Sequence, residues 1–175
     1  YNISMTQNDE ADEAAEAANH RVEISYRAVT ALMSALSYRD PKTAEHSRRV
    51  ADLCARASDG LMSISQRYVL EVAGLLHDIG KIGVPDEILF KASSLTAEEW
   101  EVMGRHDQIG VDIATGAFDC RELTAIMLNH HAFFGSGGRE SHLPTGLDIP
   151  VGARLLSIAD SYDAMVSNRP YRKGR

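Results

Sequence analysis

Cysteine is nearly absent from this chain. Two occur in 175 residues, Cys54 and Cys120, far apart and within helical patterns, which excludes a disulfide framework and a thiolate metal site. The same scarcity fits a reduced, cytoplasmic compartment. No run of about 18 apolar residues occurs, so no segment reads as membrane-inserted, and no signal peptide is visible. No stretch alternates convincingly with period two, which argues against a sheet. Positive charge is in deficit: 18 Lys and Arg against 25 Asp and Glu give a net charge of -7 with histidines neutral. A broad surface for long nucleic acid is thereby disfavoured. A small anionic ligand is not, because the charge of a bound metal outweighs a diffuse surface charge. An initiating Met is also missing: the chain starts at Tyr1 and stops at Arg175, after a cationic stretch. Both ends read as cuts in a longer polypeptide.

What remains is helix-forming sequence of a length that suits one core. Residues 1–12 are acidic and alanine-rich and read as a solvated linker. From Val22 onward Tyr26, Val29, Leu32, Met33 and Leu36 recur at helical spacing, giving a long N-terminal linker helix frayed at its start. Asp40-Pro41 is a cap followed by Pro at the first helical position, opening a helix that carries His46 and ends near Gly60. Ser63 to Gln66 and Thr96 to Glu99 resemble capping boxes. The first starts a helix that runs to His77-Asp78 and is stopped by Gly80 and Gly83. Pro85 starts a short helix from Asp86 to Phe90. The second box starts a helix through Trp100, Met103, His106, Ile109 and Ile113. Arg121 to His131 is a further amphipathic helix. A glycine-rich loop of about sixteen residues, Phe133 to Asp148, follows; loops of that length are often functional. Pro150 opens the last helix, through Leu156 and Ala159 to Met165. The fold class is all-α.

Five of the seven histidines, His46, His77, His106, His130 and His131, fall at helix ends or on otherwise apolar helix faces. A single histidine in such a place is usually a hydrogen-bonded core residue. Their joint occurrence with Asp78 and Asp160 points instead to a set able to hold two divalent cations. Imidazole with carboxylate suits iron, manganese or zinc. Asp78 is the natural bridge, because a carboxylate has two oxygens to offer and an imidazole one free nitrogen. Two divalent cations bring four positive charges and the two aspartates cancel two. The remainder suits a phosphodiester and makes hydroxide available near neutral pH. Lys81, three residues beyond Asp78, is placed to bring an ammonium beside that centre. His20 and His142 read as surface residues.

These pieces resemble the HD superfamily, and within it HD-GYP domains. The resemblance rests on Arg39-Asp40-Pro41-Lys42-Thr43 followed by His46, and on the run His77 to Asp86. It extends through Leu95 to Trp100 followed by His106, the pair His130-His131, Ala159 to Met165, and Asn168 to Lys173. It implies residues 1–37 as a linker and 38–175 as an HD-GYP-type phosphohydrolase domain, a helical bundle around a metal centre. It implies hydrolysis of cyclic di-GMP to the linear dinucleotide or GMP. By position, the metal ligands would be His46, His77, Asp78, His106, His130, His131 and Asp160. Asp78 and Lys81 would act in catalysis. Lys81, Arg169 and Arg172 would hold phosphate, with Asp163 at the substrate and in support of the site. The cofactor would be two divalent ions, iron or manganese. An upstream sensory or receiver domain and a homodimer fit the acidic N-terminus.

The chain departs from the family pattern twice. Lys42 stands where three-metal members carry Glu, so two metals are expected. The stretch after the histidine pair reads His131-Ala132-Phe133-Phe134-Gly135-Ser136-Gly137-Gly138-Arg139, with Gly138-Arg139 in place of the eponymous Tyr-Pro. That loop shapes the substrate pocket in the family. Two other readings therefore stay open: an HD hydrolase of another nucleotide, and a domain that binds a dinucleotide or a partner protein without turnover.

Overall fold

The computed structural model describes residues 24–135 and 143–167. Eight α-helices and two 3₁₀ turns are found among them, and no strand. The helices are α1 (Tyr26–Arg39), α2 (Pro41–Ala57), α3 (Ile64–Leu76), α4 (Asp86–Leu89), α5 (Ala97–Gly104), α6 (His106–Ala117), α7 (Arg121–Asn129) and α8 (Val151–Val166). One 3₁₀ turn, Ile79–Gly83, follows α3, and the other, Gly146–Asp148, precedes α8.

The capping chemistry forms as the residues require. Asp40 accepts from the amides of Lys42 and Thr43 at 3.0 and 3.2 Å and from the Thr43 hydroxyl at 2.6 Å, with Pro41 next to it. Both capping boxes are reciprocal: the Gln66 amide donates to Ser63 Oγ while the Ser63 amide donates to Gln66 Oε1, and Thr96 and Glu99 do the same. Cys120 caps α7, its sulfur accepting from the Leu123 amide at 3.4 Å. Cys54 is buried in the core, and burial pushes its thiol up to about 12, so it stays protonated and inert.

At the centre α2 packs on α3, α8 lies against α2, and α7 bridges α3 and α8. Leu36, Val50, Leu70, Leu76, Leu123, Ile126 and Leu156 are fully buried between them. Gly74 lets α3 approach α2 closely: a Cβ there would sit 2.8 Å from the Ala51 Cα. Val29, Met33 and Leu36 of α1 join the same core, so among the described residues no break in packing falls at residue 37. Tyr26, expected on the apolar stripe, is exposed. Val22 and the acidic segment before it lie outside the described residues.

Four boundaries differ from the periodicity. Helix α2 ends at Ala57, three residues before Gly60, and α4 stops at Leu89. The helix expected from Ala97 through Ile113 divides at Arg105, which caps α5 and opens α6 with φ −66° and ψ −15°. Gly104 just before it is a poor helix former. Helix α7 ends at Asn129, leaving His130 as its cap and His131 beyond it. Gly80 and Gly83 do not stop α3 by a left-handed conformation; both lie in the 3₁₀ turn, with φ negative. Gly80 is required for a different reason. A Cβ on it would collide with the carbonyl of His106 and the amide of Gly110, so only glycine lets this turn pack on the start of α6.

Candidate metal centre

That close approach brings the two halves of the site together. His77 caps α3 and Asp78 follows it, while His106 is the first residue of α6. His46 faces them from α2 and Asp160 from α8. His130 and His131 come from the end of α7. The five imidazoles form a continuous chain, with ring centroids 5.4 Å apart for His46–His77 and His77–His130, 3.8 Å for His130–His131 and 5.7 Å for His106–His131.

The ligand atoms divide into two groups. His46, His77 and Asp160 form one; His106, Asp107, His130 and His131 form the other, and within each the donor atoms lie within 4.8 Å of one another. Asp78 stands between them. Its Oδ2 is 3.5 Å from His77 Nε2 and its Oδ1 is 3.5 Å from His106 Nε2. One oxygen thus faces each group, the arrangement a bridging carboxylate needs.

The tautomers are set locally. His77, His106 and His130 each place Nδ1 on the carbonyl three residues back, Gly74, Met103 and Met127, at 2.9, 2.7 and 2.6 Å. A carbonyl only accepts, so Nδ1 carries the proton and the Nε2 lone pair points inward. This is the outer support that metal-binding histidines show. In His46 the same task falls to Asp163, whose Oδ2 is 2.7 Å from Nδ1, while Nε2 lies 3.0 Å from Asp160 Oδ1. Asp163 in turn accepts two hydrogen bonds from Arg49, at 2.7 and 3.0 Å, and one from the Ser167 hydroxyl.

Electrostatics follow from burial and pairing. Burial drives His130 well below its ordinary pKa, reinforced by His131 and His77, and burial likewise lowers His77. Burial opposes the imidazolium of His46, but hydrogen bonds to Asp160 and Asp163 outweigh it and raise that pKa. Burial also works against the Asp78 carboxylate, yet the Lys81 ammonium, His77 and His106 hold it well below the usual range. Asp163 is brought down to about 2, because its bonds to Arg49 and His46 overcome its burial. Ionised carboxylates at Asp78, Asp160 and Asp163 thus stand near His77 and His130, the two rings that burial holds toward the neutral form.

The donor set fits divalent cations of the first transition row. His130 supplies the sharpest sign: its Nε2 is buried and has no hydrogen-bond partner, a costly state for a polar atom unless something binds there.

Above the centre lies a cleft of about 950 Å³, at the upper end of small-molecule sites. Lys81 enters it beside the centre, with Nζ 2.7 Å from Asp78 Oδ2. Lys42, Arg49, Leu89, Trp100, Met103 and Val166 also line it.

All seven expected ligands and Lys81 thus converge. Asp163 has its oxygens directed to His46, Arg49 and Ser167, and stands behind His46. Arg169 and Arg172 lie outside the described residues, as do Gly137, Gly138 and Arg139 of the long loop. Sequence reasoning missed Asp107 and Arg49. Asp107 follows His106 as Asp78 follows His77, and Arg49 lies one helical turn beyond His46; either spacing was a usable signal.

Comparison with known proteins agrees with this geometry. A family model described as HD domain matches residues 43–165. The cyclic di-GMP phosphodiesterase of Thermotoga maritima is 42 % identical over 142 residues, covering 77 % of this chain and 37 % of the relative. The 3'3'-cGAMP-specific phosphodiesterase 2 of Vibrio cholerae is 35 % identical over 154 residues, covering 86 % of this chain and 29 % of the relative. The chain spans about a third of the length of these relatives. Among solved structures, the HD domain of the L. monocytogenes phosphodiesterase PgpH superposes with a TM-score of 0.60 at 19 % identity, covering 82 % of this chain and 76 % of that one. The same domain in complex with cyclic-di-AMP gives 0.58 at 20 % identity, covering 79 % and 75 %. At that identity the likeness is one of fold.

Proposed function

Since the chain belongs to the HD domain family, and is of the HD-GYP type, we propose that it is a metal-dependent cyclic dinucleotide phosphodiesterase that cleaves cyclic di-GMP to the linear dinucleotide or GMP. The observation that carries this reading is Asp78, with one carboxylate oxygen toward each group of imidazoles. His46, His77 and Asp160 with one oxygen of Asp78 would hold one cation, and His106, His130 and His131 with the other oxygen a second; iron and manganese suit both sets. When bound, such a pair supplies Lewis acidity for a phosphoryl oxygen and brings the pKa of water near neutrality.

The rest of the work belongs to side chains. The backbone carbonyls behind His77, His106 and His130 keep each ring in one tautomer. Asp163 does so for His46, and Arg49 keeps Asp163 ionised. The Lys81 ammonium spends one hydrogen on Asp78 and has others for a non-bridging phosphate oxygen in the cleft. Arg169 and Arg172 complete the phosphate grip in this reading, as forked donors suited to such oxygens. Trp100, Met103 and Leu89 give the cleft an apolar wall, against which a purine can stack.

A second substrate is favoured by one observation. The chain resembles relatives named for 3'3'-cGAMP as well as cyclic di-GMP, and its own loop after His131 departs from the HD-GYP pattern. The proposal extends to a cytoplasmic setting, with both cysteines free, and to an upstream sensory or receiver domain and a homodimer. A relative in Xanthomonas campestris is named a response regulator, which supports that arrangement.

The test is protein reconstituted anaerobically with manganese or iron and incubated with cyclic di-GMP, 3'3'-cGAMP and cyclic di-AMP, the products being separated by chromatography. Trp100 is the sole tryptophan, so its fluorescence reports occupancy of the cleft. The expected result is metal-dependent cleavage of cyclic di-GMP with quenching of Trp100. Quenching without cleavage for every metal and nucleotide would overturn the phosphodiesterase in favour of a binding domain, and the absence of both quenching and cleavage would sink the proposal outright.

A further inference from the structure

We propose that Asp107 is itself a metal ligand of the second group, so that the centre carries three carboxylates around its cations. This rests on the reading above that metal ions occupy the centre. The Oδ1 of Asp107 lies 3.0 Å from His106 Nε2, 3.7 Å from His131 Nε2 and 3.9 Å from His130 Nε2. Ligands that share one cation at bond lengths of about 2.1 Å sit roughly 3.0–3.4 Å apart. A single oxygen placed near three inward-facing imidazole nitrogens therefore sits close to a vertex of the same coordination polyhedron. The Asp107 side chain is 12 % exposed and that of His130 is 0 % exposed. The buried Nε2 of His130, which has no hydrogen-bond partner, is the nitrogen that lies 3.9 Å from this oxygen.

The position has a simpler use. Asp107 is the second residue of α6, and a carboxylate in a first turn favours the helix dipole. That role needs only a negative charge near the amides. It does not need one oxygen close to three imidazoles contributed by two different helices.

The chemical consequence is a change in balance. Without Asp107 the second group offers three imidazole nitrogens and one oxygen of Asp78. With it, that group gains a charge and a hard oxygen donor, which favours manganese and iron over softer ions. The first group already has Asp160 in the equivalent role.

Calorimetric titration of metal-free protein with Mn²⁺ separates these readings, with electron paramagnetic resonance of the loaded protein as a second readout. Wild type is expected to take two ions per chain and to show a spin-coupled pair. Asp107→Asn, which keeps size and removes charge, is expected to weaken one of the two ions at least tenfold and leave an uncoupled Mn²⁺ signal. Asp107→Ser, short and uncharged, should do the same, with the thermal midpoint of the metal-free protein showing that the fold is kept. Unchanged affinities and coupling in both variants would overturn the inference and leave the proposed function standing. A lowered midpoint of the metal-free protein with an unchanged titration would reduce Asp107 to its helix role and overturn it as well. A wild type that binds no Mn²⁺ or Fe²⁺ would remove both.

Discussion

The two groups of ligands are built by different means. His46, His77 and Asp160 come from three helices, α2, α3 and α8, and the contacts that hold His46 cross 114 and 117 residues of chain: Asp163 grips it, and Arg49 grips Asp163. The second group is largely local. His106 and Asp107 are neighbours, His130 and His131 are neighbours, and the outer hydrogen bonds of His106 and His130 reach back only three residues. The first group is therefore as good as the packing of α8 on α2. The second is oriented by its own helix ends, once the 3₁₀ turn has docked on α6. Asp78 belongs to both, and Gly80 is what lets it do so.

The largest effect should come from breaking the link between the groups. Asp78→Ala removes the shared carboxylate and leaves Lys81 facing imidazoles. Loss of both metals and a fall in turnover of about 10³-fold or more are expected, read by metal analysis and single-turnover assay. A mutant with near-normal activity would show that the groups work independently.

A smaller effect should appear on one side only. Asp163→Asn removes the charge that holds His46 and Arg49 but touches none of the second group. Metal affinity at the first group should fall about 10–100-fold while the second is unchanged, as read by Mn²⁺ titration. The metal-free protein should lose about 1–2 kcal/mol near neutral pH, the contribution being discounted because Arg49 is partly exposed. The sign follows from a carboxyl held at about 2 against an ordinary value of 3.8. Its contribution is complete above the ordinary value and disappears as pH falls toward about 2. Equal weakening of both metals would mean that the groups are not separately supported.

The smallest difference is one of slope. His130, with its pKa lowered, stays neutral while the unfolded chain takes up protons. Its contribution is lost as pH falls below about 6.5. His46, with its pKa raised, contributes fully below about 6.5 and loses that contribution as pH rises through its folded-state value. In metal-free protein His130→Gln should flatten the fall of the thermal midpoint between pH 7.5 and 5, and His46→Gln should steepen it. Parallel slopes in the two variants would erase the electrostatic contrast between the groups.

Much of this was visible in the chain as written. Asp40-Pro41 and the two capping boxes work from within a few residues of their own backbone, so their outcome does not depend on what packs outside. The seven candidate ligands could be selected because imidazoles next to carboxylates, at the ends of apolar helices, are an unusual pattern. Gly80 was misjudged as a helix stop, because the reason for it is a backbone more than twenty residues away. The single helix expected through His106 proved to be two, for the periodic apolar residues continue across Arg105 and carry no sign of the break. Asp107 escaped notice because a charged residue inside an amphipathic helix is ordinarily part of its solvated face, and only the three-dimensional arrangement places its oxygen among three imidazoles.

Local chemistry alone determined the helical class, the caps, and which histidines and aspartates were candidates, because each of these depends on residues within one or two turns. Tertiary structure decided how those candidates are grouped, which aspartate stands between the groups, and which stands behind a ligand. Those are matters of distance between side chains from different helices, and such distances exist only after the core of Leu36, Val50, Leu76, Leu123 and Leu156 has closed.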